Sequence, residues 1–96
     1  MAQISSEIIF KQKPDLVWRT VEDGLVIVSP NNGEVKALND LGGKIWLMLD
    51  GEHTMGQIYQ SAAQSYADVP PDKLIEDIEL FINSLLERNL LIPLNR

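Results

Sequence analysis

The sequence predicts an α+β domain in the order βββααα: a three-stranded antiparallel meander followed by three helices. Two observations carry this. Turn signals at Asp23-Gly24 and at Ser-Pro-Asn-Asn-Gly (29–33) divide the N-terminal half into short strand-like runs. After Asn39 the apolar spacing changes from that of a strand to that of a helix. The change falls within Gly33–Gly51, around which the chain is organised.

The strands come first. Pro14 marks the entry, and Leu16 to Glu22 alternates, with Leu16, Trp18 and Thr20 on one face and Val17, Arg19 and Val21 on the other. Leu25 to Ser29 is the return strand, and Val35 to Leu38 is a third, short strand. Ahead of them, residues 1–13 read as an N-terminal arm. Ile8-Ile9-Phe10 are compatible with local packing or pairing and equally with a loosely held segment. Residues 14–96 form the domain proper.

The first helix starts at Asn39, whose side-chain oxygen suits an N-cap, with Asp40 at the positive end of the helix dipole. Leu41, Ile45, Trp46, Met48 and Leu49 form its apolar stripe, and Asp50-Gly51 its stop. Thr54 and Gln57 have capping-box spacing at the start of the second helix, which carries Met55, Ile58, Tyr59, Ala62, Ala63 and Tyr66 on one face and ends near Ala67. Pro71 opens the third helix, which runs to about Arg88 with Asn89 as a left-handed cap. Leu74, Ile75, Ile78, Phe81, Ile82, Leu85 and Leu86 fall within about 140° at roughly 100° per residue, whereas Leu80 lies opposite them. Leu90-Leu91-Ile92-Pro93 is an apolar tail suited to closing the core.

Bulk properties bound the function. The chain has 96 residues, a net charge of −6 and no Cys. A domain of this size buries roughly 60–65% of its unfolded surface, enough for one core. The 8 basic residues are scattered, which argues against phosphate binding along a nucleic acid. No apolar run approaches the ~18 residues of a membrane span, and no signal peptide is visible, so a cytoplasmic location is the expectation. His53 is a lone imidazole in a turn, and one His without Cys excludes the usual zinc sites. Asp72, Glu76, Asp77 and Glu79 read as a solvated helix face, and Gly42-Gly43, without a following Lys-Ser/Thr, as close packing. No catalytic constellation emerges. Trp18, Trp46 and Phe81 read as core.

Two features remain. Val35–Leu38 is the edge of the meander, protected only by Lys36, and Leu80 is an exposed apolar side chain on the third helix. Each alone is ordinary. Together they suggest an extended peptide bound alongside a helix. The acidic third helix adds the expectation of Lys or Arg in such a peptide.

The residues Pro14-Asp15-Leu16-Val17-Trp18-Arg19, Leu38-Asn39-Asp40-Leu41-Gly42, Ile45-Trp46, Leu49-Asp50-Gly51, Thr54 with Ile58, and Asp77-Ile78 with Phe81-Ile82 and Leu85 give a further lead. In these the chain resembles the PqqD family, the peptide-binding domain of pathways for ribosomally made, post-translationally modified peptides. The resemblance spans residues 14–92, and the L-N-x-x-G-x-x-I-W-x-x-L-D-G run is its specific part. It implies a winged-helix-like fold and a peptide chaperone that is not an enzyme and carries no cofactor or metal. Its implied partners are the leader segment of a precursor peptide and a modifying enzyme, often a radical S-adenosylmethionine enzyme, with no nucleic acid and no membrane. It further implies that the leader adds as a strand along Glu34, Val35, Lys36, Ala37 and Leu38. The third helix would wall the site through Lys73, Leu74, Asp77, Leu80, Phe81 and Ser84. Pro70 stands where relatives tend to have a Ser or Asp cap, and Asn89 where Gly is usual. The competing reading is a winged-helix DNA-binding or other protein-interaction module, which the acidic balance disfavours.

Overall fold

A computed structural model describes residues 4–30 and 33–94; residues 31 and 32 of the second expected turn, and the ends of the chain, lie outside them. The elements are β1 (Ile9–Gln12), β2 (Val17–Val21), β3 (Gly24–Val28), β4 (Val35–Leu38), α1 (Asp40–Met48), β5 (Asp50–Thr54), α2 (Met55–Ser65), α3 (Pro71–Glu87) and β6 (Leu91–Leu94). Strands β2, β3 and β4 pair in sequence order as an antiparallel sheet. A second antiparallel sheet has the order β5-β1-β6.

That second sheet departs from the βββααα order. The segment expected as an arm supplies its central strand, and Phe10 is 3% exposed. Nothing local announces β1, because its partners begin at Asp50 and Leu91 and no hairpin turn joins them. Strand β5, Asp-Gly-Glu-His-Thr, is polar and reads as a loop; pairing with β1 makes it a strand, with an irregularity between Ile9 and Lys11. Helix α1 therefore ends at Met48, before Asp50-Gly51. Leu91, of the apolar tail, is buried in β6, and Pro93 lies on that edge strand, where a missing N–H is tolerated.

The local signals are seen in the geometry. Asn39 Oδ1 accepts from the Gly42 N–H at 2.8 Å. Thr54 and Gln57 form a capping box: the Thr54 N–H donates to Gln57 Oε1 at 2.8 Å, and the Gln57 N–H donates to Thr54 Oγ1 at 3.2 Å. Pro70 gives α3 no side-chain cap, while Asn89 takes the left-handed conformation, φ 60°. The first hairpin turns at Glu22-Asp23 rather than Asp23-Gly24, with Val21 paired to Gly24. Gly24 is needed for another reason: a Cβ there would lie 1.9 Å from the Leu38 carbonyl oxygen.

One core joins the layers. Leu25 and Ile27 of β3, Leu38 of β4, Ile45 and Trp46 of α1, Ile58 of α2, and Ile78, Ile82 and Leu85 of α3 are buried together. Helix α2 is tied to its neighbours by tyrosines: Tyr66 donates to the Asp40 carboxylate, and Tyr59 to Glu79 Oε2 at 3.5 Å. Burial, reinforced by the neighbouring carboxylate, pushes each phenol up to about 12.

Phe10→Ala tests whether β1 is part of this core. Emptying a buried Phe site costs about 3–5 kcal/mol, so urea unfolding of the variant should show a large drop in stability with native-like structure below the transition. A change within error would mean that the segment is a dispensable arm.

Candidate functional site

Strand β4 is an edge of its sheet, and its hydrogen-bonding phase follows from the register. Val28 faces Val35, Ile27 faces Lys36, Val26 faces Ala37 and Leu25 faces Leu38. The Ser29 N–H donates to the Glu34 carbonyl at 2.9 Å, so Ser29 and Glu34 are a hydrogen-bonded pair. Such pairs alternate along an antiparallel ladder. Lys36 and Leu38 therefore spend their backbone groups on β3, whereas Val35 and Ala37 direct N–H and C=O to the outside of the sheet. Side chains alternate as well. Lys36 and Leu38 lie on the core-facing side, half-buried and buried, and Val35 and Ala37 on the outer face, exposed.

Helix α3 runs alongside this edge. At one end of β4, Arg88 Nη1 lies 3.5 Å from Glu34 Oε1. At the other, Asp77 and Phe81 line a shallow pocket with Asn39, Leu41, Gly42 and Ile45. The distances agree: Glu34 to Asn39 spans about 17 Å as strand, and Asp77 to Arg88 about 16–17 Å as helix. Asp77, Phe81, Ser84 and Arg88 are spaced as one line on the helix, and that line is the flank beside β4. The opposite flank holds Glu79, which accepts from the Ile4 N–H and the Tyr59 hydroxyl.

The residues expected to wall the site divide. Leu80 is 59% exposed, and Lys73, Asp77, Phe81 and Ser84 are accessible in whole or part. Leu74 is 3% exposed and belongs to the core, although it lies toward the Phe81 edge of the apolar stripe. Of the edge residues, the Leu38 side chain is also core, 8% exposed. Arg88 was not anticipated, although its spacing from Phe81 puts it on the same line. In the sequence Asn39, Leu41 and Gly42 read as cap, apolar stripe and close packing; only the fold brings α1 against Phe81.

The charges on this flank are largely self-neutralised. Lys73 Nζ lies 3.1 Å from Asp77 Oδ1, and this hydrogen bond and charge hold the ammonium above the ordinary lysine range. Glu34 and Arg88 pair across the gap. The Ser84 hydroxyl is turned back to the Phe81 carbonyl at 2.7 Å. Glu76 and Glu87 share Leu80's line on the helix, four residues before it and seven after it, next to the line from Asp77 to Arg88, and Asp72 lies farther round. Among the described residues no group of three or more His, Cys, Asp or Glu could hold a metal ion, and no helix is long and apolar enough to cross a membrane. His53 stands in β5 with Nδ1 3.0 Å from Asp50 Oδ2.

Two pairs of variants check the phase of the strand and of the helix. Lys36→Pro deletes a ladder N–H and orphans the Ile27 carbonyl, and should cost about 1–3 kcal/mol; Ala37→Pro deletes an outward N–H and should melt near the wild type. Similarly, Leu74→Ala should cost about 2–5 kcal/mol, and Leu80→Ala no more than about 0.5 kcal/mol. Thermal and urea unfolding of all four decide both points, and a reversed order in either pair means that the assigned phase is wrong.

Comparison with known proteins adds relatives. The family model described as Coenzyme PQQ synthesis protein D (PqqD) matches residues 24–91. Two solved structures are similar in fold. One is TbiB1 in complex with the TbiA(beta) leader peptide: 22% identity, TM-score 0.75, covering 84% of this chain and 93% of that one. The other is the PqqD truncation of Methylobacterium extorquens PqqCD, described as a functional, stand-alone recognition element for ribosomally synthesised and post-translationally modified peptides: 24% identity, TM-score 0.73, covering 95% of each chain. No curated protein matches.

Proposed function

Because the chain belongs to the PqqD family, we propose that it binds the leader segment of a ribosomally made precursor peptide by strand addition and presents it to a modifying enzyme. The observation that carries this reading is the outer edge of β4. Val35 and Ala37 offer two N–H and two C=O groups at strand spacing, and the flank of α3 runs the length of that edge. A peptide in this channel gains backbone hydrogen bonds from one side and side-chain contacts from the other. That TbiB1 was solved with a leader peptide supports the same reading for this fold.

On this proposal the peptide strand lies against Glu34 to Leu38. Lys73, Asp77, Leu80, Phe81, Ser84 and Arg88 face its side chains. Phe81 and Leu80 supply the apolar contact, and the paired charges around them cost little to desolvate in part. The meander and helices are read as a winged-helix-like arrangement whose sheet edge, rather than a recognition helix, meets the ligand. The role is capture and presentation, not catalysis. The partner enzyme is proposed, from the family resemblance, to be a radical S-adenosylmethionine enzyme.

Amide resonances test the site directly. Short peptides encoded beside this chain's gene should be titrated into ¹⁵N-labelled protein. The Val35 and Ala37 amides should shift and become slow to exchange, because each gains a hydrogen bond, while the Lys36 amide is already protected by β3. Ala37→Pro should abolish binding, and Leu80→Ala should weaken it by ~1–2 kcal/mol. Shifts confined to another surface would overturn strand addition at this edge.

A further inference from the structure

The register extends to the bound peptide and specifies its side chains. A strand added to β4, in either direction, places the residue opposite Val35 or Ala37 on the outer face and the residue opposite Lys36 on the α3 side. On the outer face, Val17, Val28 and Val35 line up across the three strands, and Arg19, Val26 and Ala37 form the next row. Val17 and Val35 are 62% and 60% exposed, so this row of β-branched side chains is unfinished at the β4 edge. On the inner face the row is Trp18, Ile27 and Lys36.

Lys36 differs from the other charges here. Glu34 pairs with Arg88, and Lys73 with Asp77, but among the described residues Lys36 has no ion-pair partner. Its side chain is half-buried on the inner side of the edge strand, where an incoming peptide would cover it further. A cation covered by a ligand without a counter-charge loses hydration and gains nothing in return. A carboxylate directly across the ladder supplies the missing partner at cross-strand distance.

Resting on the strand-addition reading, we propose that this edge selects a peptide strand with Asp or Glu at the inward position opposite Lys36, flanked on both sides by β-branched apolar residues that continue the outer rows. The sign is opposite to the Lys or Arg suggested by the acidic composition of α3, because the position across the ladder is set by Lys36 of β4, whereas Glu76 and Glu87 lie on Leu80's line of the helix and not on the strand edge.

The test is selection of a fully randomised peptide library displayed on phage against the wild type, Lys36→Glu and Lys36→Met, each first checked for a native circular dichroism spectrum. The wild type should enrich Asp or Glu between Val, Ile or Thr. Lys36→Glu should enrich Lys or Arg at the same position, and Lys36→Met should enrich neither charge. For a wild-type-selected peptide, Lys36→Glu should weaken binding by about threefold to fivefold, the upper part of the range for exposed ion pairs, and the loss should shrink at high salt. If the enriched peptides lose binding in Ala37→Pro but show no acidic preference, the inference fails while strand addition stands. If nothing is enriched, or binding is indifferent to Ala37→Pro, strand addition fails and this inference fails with it.

Discussion

The proposed peptide site depends on how closely α1 lies against β3 and β4. Gly42 and Gly43 are buried in the first turns of that helix. A Cβ on Gly43 would meet Leu25 Cβ at 3.4 Å, and one on Gly42 would meet Leu38 Cβ and Phe81 Cε1 at 3.4 Å. Those are ordinary contact distances, so helix and sheet already touch; the tight place is Gly42, where a Cβ would crowd the capping Asn39 Oδ1 at 3.2 Å as well as touching the Phe81 ring. Asn39 turns the chain from strand to helix by capping the first turn, and Gly24 lets the Leu38 carbonyl pass at close range. The end of β4 is thus held on three sides. A strand of four residues would otherwise fray, and a frayed edge cannot template a partner strand.

Electrostatics complement this frame. The chain is acidic overall, yet along the line of α3 beside β4 Asp77 pairs with Lys73 and Arg88 with Glu34, with Phe81 between them. Neutral walls suit a backbone-driven mode of binding, in which a sheet edge provides hydrogen bonds that any sequence can accept and discrimination is left to a few side chains. Identities of 22% and 24% accompany TM-scores of 0.75 and 0.73, so the backbone frame is similar while most side chains differ.

The second sheet braces the far side. Strand β1 sits between β5, which follows α1, and β6, which follows α3. Phe10, Leu90 and Leu91 bury against the common core. Pairing of β1 with both partners joins the end of α1 to the end of α3. The tie lies next to the end of α3 at which Arg88 meets Glu34 of β4.

The sequence by itself determined the elements whose signals are local. Periodicity located the three helices, and the Asn39 cap, the Thr54–Gln57 box and the left-handed Asn89 were legible because each is made by residues within a turn of one another. The β2–β3–β4 strands and the exposure of Leu80 on α3 were legible for the same reason, since a strand or helix shows its two faces in its own pattern. Only the tertiary structure decided the rest. Strands β1, β5 and β6 exist because distant segments satisfy each other's backbone groups, which no local pattern announces. Leu74 lies in the apolar stripe next to Phe81, and only the packing of α3 puts one in the core and leaves the other at the site, while Arg88 gains its place from Glu34, far away in sequence. Which backbone groups of β4 face outward was likewise undecided, because alternation gives two phases and only pairing with β3 selects one.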